Sequence, residues 1–174
     1  MAAGTDTPNI IPMNKQQLRS LALRNLLFTM LQPGMVAGVI PWLLAKQHFR
    51  HAFASFGGFR QYAGAVIWLT GLAILLHCIT RFALDGMGTL SPADPTRKLV
   101  ISGLYRYSRN PMYVGVMLLL TGEALFCNAA ILWQYSMLLL IIFHLFIIFY
   151  EEPRLRRDFG ETYVRYSQQV RRWV

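Results

Sequence analysis

Charge is what this chain has least of. Only 14% of its 174 residues are charged, against 55% hydrophobic, and that balance excludes an ordinary soluble domain, in which about a quarter of residues are charged. A membrane is the expected solvent. Acid is scarcer still: eight Asp and Glu stand against 17 Lys and Arg, for a net charge of +9. In a soluble protein that excess points to nucleic acid, but here the basic residues crowd segments expected to share one side of a bilayer. Positive charge therefore marks topology, and no nucleic-acid partner is expected. Cysteine is nearly absent. Cys78 and Cys127 have no metal-ligand spacing, so no metal is expected and both are assigned to packing. The chain also lacks internal repeats, low-complexity tracts and a recognisable cleavable signal peptide: its first apolar run follows some twenty mixed residues and is long enough to stay as a span.

The places where charge is missing define the fold. Arg24 to Lys46 and Arg60 to Arg81 each bracket about twenty uncharged residues, the length that crosses hydrocarbon as a helix. From Pro111 to Tyr150 the only formal charge is Glu123, which leaves room for two more helices if the chain turns near Cys127-Asn128-Ala129. The expected fold is all-α and integral to a membrane, a single domain over 1–174 with about four transmembrane helices at about 21–45, 61–82, 111–127 and 130–150. The last two form a helical hairpin over 111–150. Its first arm is short, which puts Glu123 in the last turns before the far surface, an interfacial position. The first helix contains Pro33-Gly34 and Pro41 and is expected to kink. Residues 46–60 read as a short outer connection.

Arg81, Arg97, Lys98, Arg106 and Arg109 in one connecting segment, and Arg154, Arg156, Arg157, Arg165, Arg171 and Arg172 after Tyr150, place both segments in the cytoplasm, together with both termini. Lys46, Arg50 and Arg60 on the first outer loop weaken that rule without reversing it. The cytoplasmic loop 83–110 is polar, rich in Gly and Pro, and too long for a simple turn. Leu155, Phe159, Tyr163, Tyr166, Val170 and Trp173 recur at spacings of three and four with arginines between them, which predicts a C-terminal amphipathic helix over 153–173 lying on the membrane surface.

Two short motifs stand out. In Gly103 to Gly115 the helix is expected to begin at Pro111, with Asn110 as its N-cap. A helix start flanked by Arg106 and Arg109 either holds an anion, a carboxylate or phosphate, or simply anchors the helix at the membrane boundary. The second motif, Glu151-Glu152-Pro153, puts two carboxylates at the negative end of a helix and so demands a cation. Local pairing with Arg154, Arg156 or Arg157, pairing across the fold with Arg106 or Arg109, or a cationic ligand would each serve. The hairpin brings both motifs to one face. Inside the spans, His77 and His144 are intramembrane polar residues, either functional or hydrogen-bonded in packing. Gly115 and Gly122, seven residues apart, favour close helix packing.

The run from Gly86 through Gly115, followed by Glu151-Glu152, Leu155, Phe159-Gly160, Tyr163 and Tyr166, resembles the membrane methyltransferases related to isoprenylcysteine carboxyl methyltransferase and phospholipid methyltransferases, especially their small bacterial members, over about residues 60–174. The resemblance implies S-adenosyl-L-methionine as cofactor and a lipophilic acceptor (a prenylated or lipid-like carboxylate, amine or thiol) in a multi-pass protein of a bacterial inner membrane. Carried over by residue, Tyr105, Arg106, Arg109, Asn110, Pro111, Tyr113 and Gly115 with Glu151 and Glu152 would bind the cofactor. No dedicated catalytic base is implied. Two departures matter: Asn110 stands where eukaryotic relatives commonly have His, and Gln169 and Arg171 flank Val170 where the prenylcysteine enzymes have a basic residue and a Pro. That puts a carboxylate acceptor in doubt, with Arg171 and Arg172 as weak substitutes. No strand leads into a glycine-rich turn, so a soluble Rossmann-type methyltransferase is not supported. An NADPH-dependent membrane reductase of the sterol-reductase type and a non-catalytic membrane scaffold are the rival readings; Asn110-Pro111 and Glu151-Glu152-Pro153 argue against the reductase.

Overall fold

A computed structural model describes residues 31–85 and 99–173, and among these residues all regular structure is helical. The helices are α1 (Ile40–Ala54), α2 (Phe59–Asp85), α3 (Pro111–Cys127), α4 (Ala130–Phe146) and α5 (Glu152–Gln169). A 3-10 turn covers Gly103–Arg106, and π turns lead into α1 (Met35–Val39) and join α4 to α5 (Ile147–Glu151). Among the described residues two helical stretches are long and apolar enough to cross a membrane, Phe59–Arg81 and Ala130–Gln169, while Pro111–Cys127 is apolar but shorter.

The first helix meets its predicted end near residue 45 with a kink rather than a loop. Residues 21–30, the predicted N-terminal half of that helix, lie outside the described residues, as does the loop segment 86–98. Ala45 leaves helical geometry (φ −125°, ψ 24°), so the chain kinks at the predicted end of the first helix, and beyond the kink it turns helical again to Ala54, which leaves Ser55–Gly58 as the non-helical part of the expected outer connection 46–60. Lys46 and Arg50 mark where polarity returns, but both are good helix formers, so helix resumes after the Ala45 kink until the chain nears Gly57-Gly58. The kink is present. Ala37 leaves helical geometry (φ −109°, ψ 16°), and it lies four residues before Pro41, whose ring clashes with that carbonyl and whose nitrogen donates nothing. Similarly, α2 exceeds the predicted 61–82 at both ends, taking 83–85 from the loop.

The predicted hairpin is observed with its predicted turn. Asn128 takes the left-handed conformation (φ 51°, ψ 43°) that Asn tolerates better than most residues, and it reverses the chain between α3 and α4. The closest packing in the fold is between α2 and α3, which run antiparallel through glycines spaced seven apart on each helix. Gly71 meets Gly115 and Gly64 meets Gly122: a Cβ on Gly71 would lie 2.7 Å from the Gly115 carbonyl oxygen, and one on Gly122 would lie 2.7 Å from the Trp68 amide nitrogen. Backbone thus touches backbone, which is how helices associate when no hydrophobic effect separates them from lipid. Glu123 lies one turn from the end of α3, as expected, and there it is buried against α2 and accepts a hydrogen bond from Trp68 Nε1 at 3.2 Å. Its place along the helix is near the surface, but its place around the helix faces a neighbour, and spacing alone gave only the first.

The C-terminal helix also differs from expectation. It is continuous with α4 through the π turn, breaks at Gly160 (φ 50°, ψ −130°), and ends at Gln169 rather than near 173, with Val170 extended (φ −118°, ψ 133°). A glycine is needed at that break because its backbone conformation is open to almost no other residue.

The glycine contacts give a prediction. Gly122→Ala should lower the melting temperature of detergent-purified protein, by an amount equivalent to about 1–3 kcal/mol of overpacking, whereas Gly34→Ala, whose Cβ would meet nothing within 4 Å, should leave it unchanged.

Candidate functional site

The site begins where α3 begins. Pro111 occupies the first helical turn, as its missing amide predicts, but Asn110 does not cap the helix with its side chain (φ −129°, ψ 49°). Its Nδ2 donates instead to the Arg172 carbonyl at 2.9 Å, and its amide donates to Ser108 Oγ at 3.1 Å. The competing acceptor comes from the chain end, which after Val170 runs parallel to the segment before α3. Ser108 and Arg171 pair as an isolated β-bridge, and the Arg109 amide donates to the Arg171 carbonyl at 2.9 Å. This strap holds the loop and the C-terminal helix together.

Side chains complete the closure. Arg172 grips Glu152 with both arms of its fork, Nε to Oε1 at 2.7 Å and Nη2 to Oε2 at 3.1 Å, and Arg109 Nη1 reaches the same Oε1 at 3.1 Å. Arg109 Nη1 also donates to Tyr163 Oη at 3.3 Å, Tyr113 Oη donates to Glu151 Oε2 at 2.9 Å, and Tyr166 Oη donates to the Tyr105 carbonyl at 2.7 Å. Burial opposes ionisation of Glu152, but the hydrogen bonds from Arg172 and the charges of Arg109, Arg172 and Arg156 outweigh it and hold the carboxyl below its ordinary range. The same pairing keeps Arg172 more firmly protonated.

These groups surround a small cavity of about 80 Å³, open on one side to solvent. Arg109, Asn110, Glu151 and Glu152 supply its polar wall, Tyr105, Tyr163 and Tyr166 its aromatic wall, and Leu99, Val100 and Leu155 the remainder. One donor is conspicuous: Arg109 Nε is buried and has no hydrogen-bond partner among the described residues. A buried unsatisfied donor costs roughly 1–3 kcal/mol, so an acceptor arriving in the cavity is favoured there. The donor set suits a ligand that carries a carboxylate, hydroxyls and a cation: guanidinium N–H for the first, carboxylate oxygens for the second, tyrosine faces and carboxylates for the third.

Of the residues singled out from sequence, the structure gathers Tyr105, Arg109, Asn110, Glu151 and Glu152 on the cavity wall, with Tyr113 one hydrogen bond behind. Pro111 starts the helix and does not line the cavity. Arg106 is exposed and away from it, because the 3-10 turn over Gly103–Arg106 points Tyr105 inward and its neighbour outward. Gly115 faces α2, so its lack of a side chain serves helix packing. The Arg171 side chain is exposed, and Arg172 has Glu152 as its partner. His77 packs beside Gly103, and His144 Nδ1 accepts from Trp173 Nε1 at 3.3 Å with the two rings stacked. Tyr163 and Tyr166, part of the motif that carries the resemblance but not among the residues expected to bind the cofactor, also enter the cavity; their hydroxyls, three residues apart on one helix face, were the available signal.

Arg172→Ala should destabilise the protein by on the order of 1–3 kcal/mol, since it leaves a buried carboxylate with a single cation. Because the Glu152 carboxyl is held low in the folded protein, its contribution is fully present above the ordinary carboxylate range and is lost as pH falls through and below that range. Melting temperature against pH should therefore fall on the acid side in the native protein, and that fall should be shallower in Glu152→Gln.

Comparison with known proteins gives concordant results. A 63-residue protein of Haemophilus influenzae, named only as uncharacterized, is 33% identical to this chain over 63 residues, which are 36% of this chain and all of that protein. No solved structure matches the chain. The model of the phospholipid methyltransferase family matches residues 59–162, a segment that holds the α3–α4 hairpin together with Arg109, Tyr113, Glu151 and Glu152. The match covers more than half of the sequence, and this chain belongs to the phospholipid methyltransferase family.

Proposed function

We propose that this protein transfers a methyl group from S-adenosyl-L-methionine to a lipophilic acceptor, with the cofactor entering from the cytoplasm and the acceptor from within the bilayer. The observation that carries the reading is the meeting of two distant motifs: Arg109 and Glu152, 43 positions apart, are in contact at 3.1 Å on the wall of an open cavity, both within the family-matched segment. In this reading the whole chain is one membrane domain with about four spans, the described helices α2, α3 and α4 supplying three of them, and both termini are cytoplasmic. The membrane is that of a bacterial inner membrane.

The cofactor, when bound, supplies an electrophilic methyl group on a sulfonium. The protein's own residues then have three tasks. Arg109 offers its spare Nε–H to the carboxylate of the ligand, at a position where burial strengthens the contact. Glu151 and Glu152 accept from hydroxyls or an amino group, Glu151 being oriented by the Tyr113 hydroxyl and Glu152 by its two arginines. Tyr105, Tyr163 and Tyr166 line the wall with aromatic surface, which favours a cation while excluding water. Methyl transfer is an in-line displacement, so alignment of donor and acceptor and removal of water account for most of what the site must do. No side chain is assigned as a base. Arg172 is held by Glu152, so recognition of a carboxylate acceptor would require that pair to open; amine and thiol acceptors need no such step.

Thermal unfolding of detergent-purified protein tests the reading. S-adenosylhomocysteine at a hundredfold excess over its dissociation constant should stabilise it by roughly 2.7 kcal/mol, and NADPH should not. Arg109→Ala, Tyr113→Phe and Glu152→Gln should each reduce that shift while remaining monodisperse. Stabilisation by NADPH alone would favour a reductase, stabilisation by neither a scaffold, and three variants with an undiminished shift would place the cofactor elsewhere.

A further inference from the structure

The opposite end of the molecule carries a second concentration of charge. At the Cys127–Ala129 turn of the hairpin, α1 and the Ser55–Gly58 turn pack on α3 and α4 through Ala45, Ala52, Ala124, Cys127, Ala129 and Leu132. The outward surface of this end holds Lys46, Arg50 and Arg60, all exposed. No Asp or Glu occurs anywhere from residue 31 to residue 84, and none of the three cations has a carboxylate partner among the described residues. The nearby carboxylate, Glu123, is turned inward onto Trp68 and does not offset them.

Aromatic rings accompany these cations. Phe53 and Phe56 pack at a tilt against Phe126 with centroids 5.1 and 6.0 Å apart, Phe56 meets Tyr62 edge-on at 5.1 Å, and Lys46 lies 4.9 Å over the Trp42 ring. Despite this packing Phe53 is 67% exposed and Phe59 is 89% exposed. The pad is continuous with the exposed apolar sides of α1 (Leu43, Leu44) and α2 (Val66, Leu69). Lys46 and Arg50 are one helical turn apart and share a face, so both can approach one phosphodiester.

From this geometry we infer that the α1–α2 corner is a docking site for the headgroups of anionic phospholipids in the leaflet opposite the cofactor site. Continuity with lipid-length apolar surface identifies the partner as lipid: an acidic protein would meet the cations but leave the aromatic pad without a partner, whereas a phospholipid occupies both, phosphate on Lys46, Arg50 and Arg60 and acyl chain along the rings. The inference rests on the membrane reading and is independent of the methyl-transfer reading. It also accounts for positive charge at the outer ends of α1 and α2, which topology alone disfavours.

Photoactivatable phosphatidylglycerol and phosphatidylcholine, added separately to the full chain in neutral detergent, test it by mass-spectrometric mapping of the labelled peptides. Residues 46–62 should be labelled by phosphatidylglycerol roughly tenfold more than by phosphatidylcholine, with the preference reduced in high salt. The K46Q/R50Q/R60Q protein should lose that preference here while retaining its helicity and its labelling elsewhere. Equal labelling by the two lipids in the native protein, which needs no variant, would overturn the inference. So would an unchanged preference in the substituted protein, competition by soluble glycerol phosphate as effective as by the lipid, or conversion of a dimer to a monomer on substitution, which would identify a second copy as the occupant. Failure of both lipids to label any apolar helix would instead count against the membrane reading itself.

Discussion

One carboxylate joins the three parts of the candidate site. Glu152 is held by Arg109 from the segment before α3 and by Arg172 from the strap after α5, and each contact spans a different closure of the chain. A carboxylate with only 9% of its side chain exposed is costly unless ionised partners surround it. That cost becomes specificity: the hairpin must close and the strap must return, or a charge is left buried and unpaired. The remaining polar contacts of the cavity follow from this arrangement. Asn110 gives up its capping role to bind the strap, Tyr163 accepts from the arginine that binds Glu152, and Arg109 Nε is left as the spare donor.

The rest of the fold delivers those groups to one place. Glycine contacts between α2 and α3 fix the start of α3 against its neighbour, and the Asn128 turn sends α4 back so that Glu151 and Glu152 arrive beside it. The π turn Ile147–Glu151 lies at the junction where α4 becomes α5 and where both carboxylates leave the apolar helix. Such turns often accompany functional sites because they re-aim side chains without breaking the helix. At the far end α1 and α2 present aromatic rings and cations with no carboxylate partner among the described residues, so the molecule has one end organised around buried charge and the other around exposed charge.

Much of this was legible in the sequence. The apolar lengths, the Pro111 helix start, the reversal near Asn128 and the meeting of an arginine-tyrosine motif with twin glutamates all follow from local rules, and all are present in the structure. The helical turns of α1 beyond the Ala45 kink, the side-chain partner of Asn110, the inward turn of Glu123 and the extent of the C-terminal helix did not follow, because each depends on a partner distant in sequence. Arg106 and Gly115 illustrate the limit: both belong to the motif, yet one points to solvent and the other to a neighbouring helix.

The sequence by itself determined which segments are helical, roughly how long they are and that two motifs would share one end of a hairpin, since a missing amide, a run of uncharged residues and a residue tolerant of left-handed geometry act over a few positions. Only the tertiary structure decided which of many arginines would hold Glu152, which tyrosines would face the cavity and where the strap would lie. Those choices are made by contacts between residues 20 to 62 positions apart, where hydrogen-bond geometry and burial, rather than spacing along the chain, select the partner.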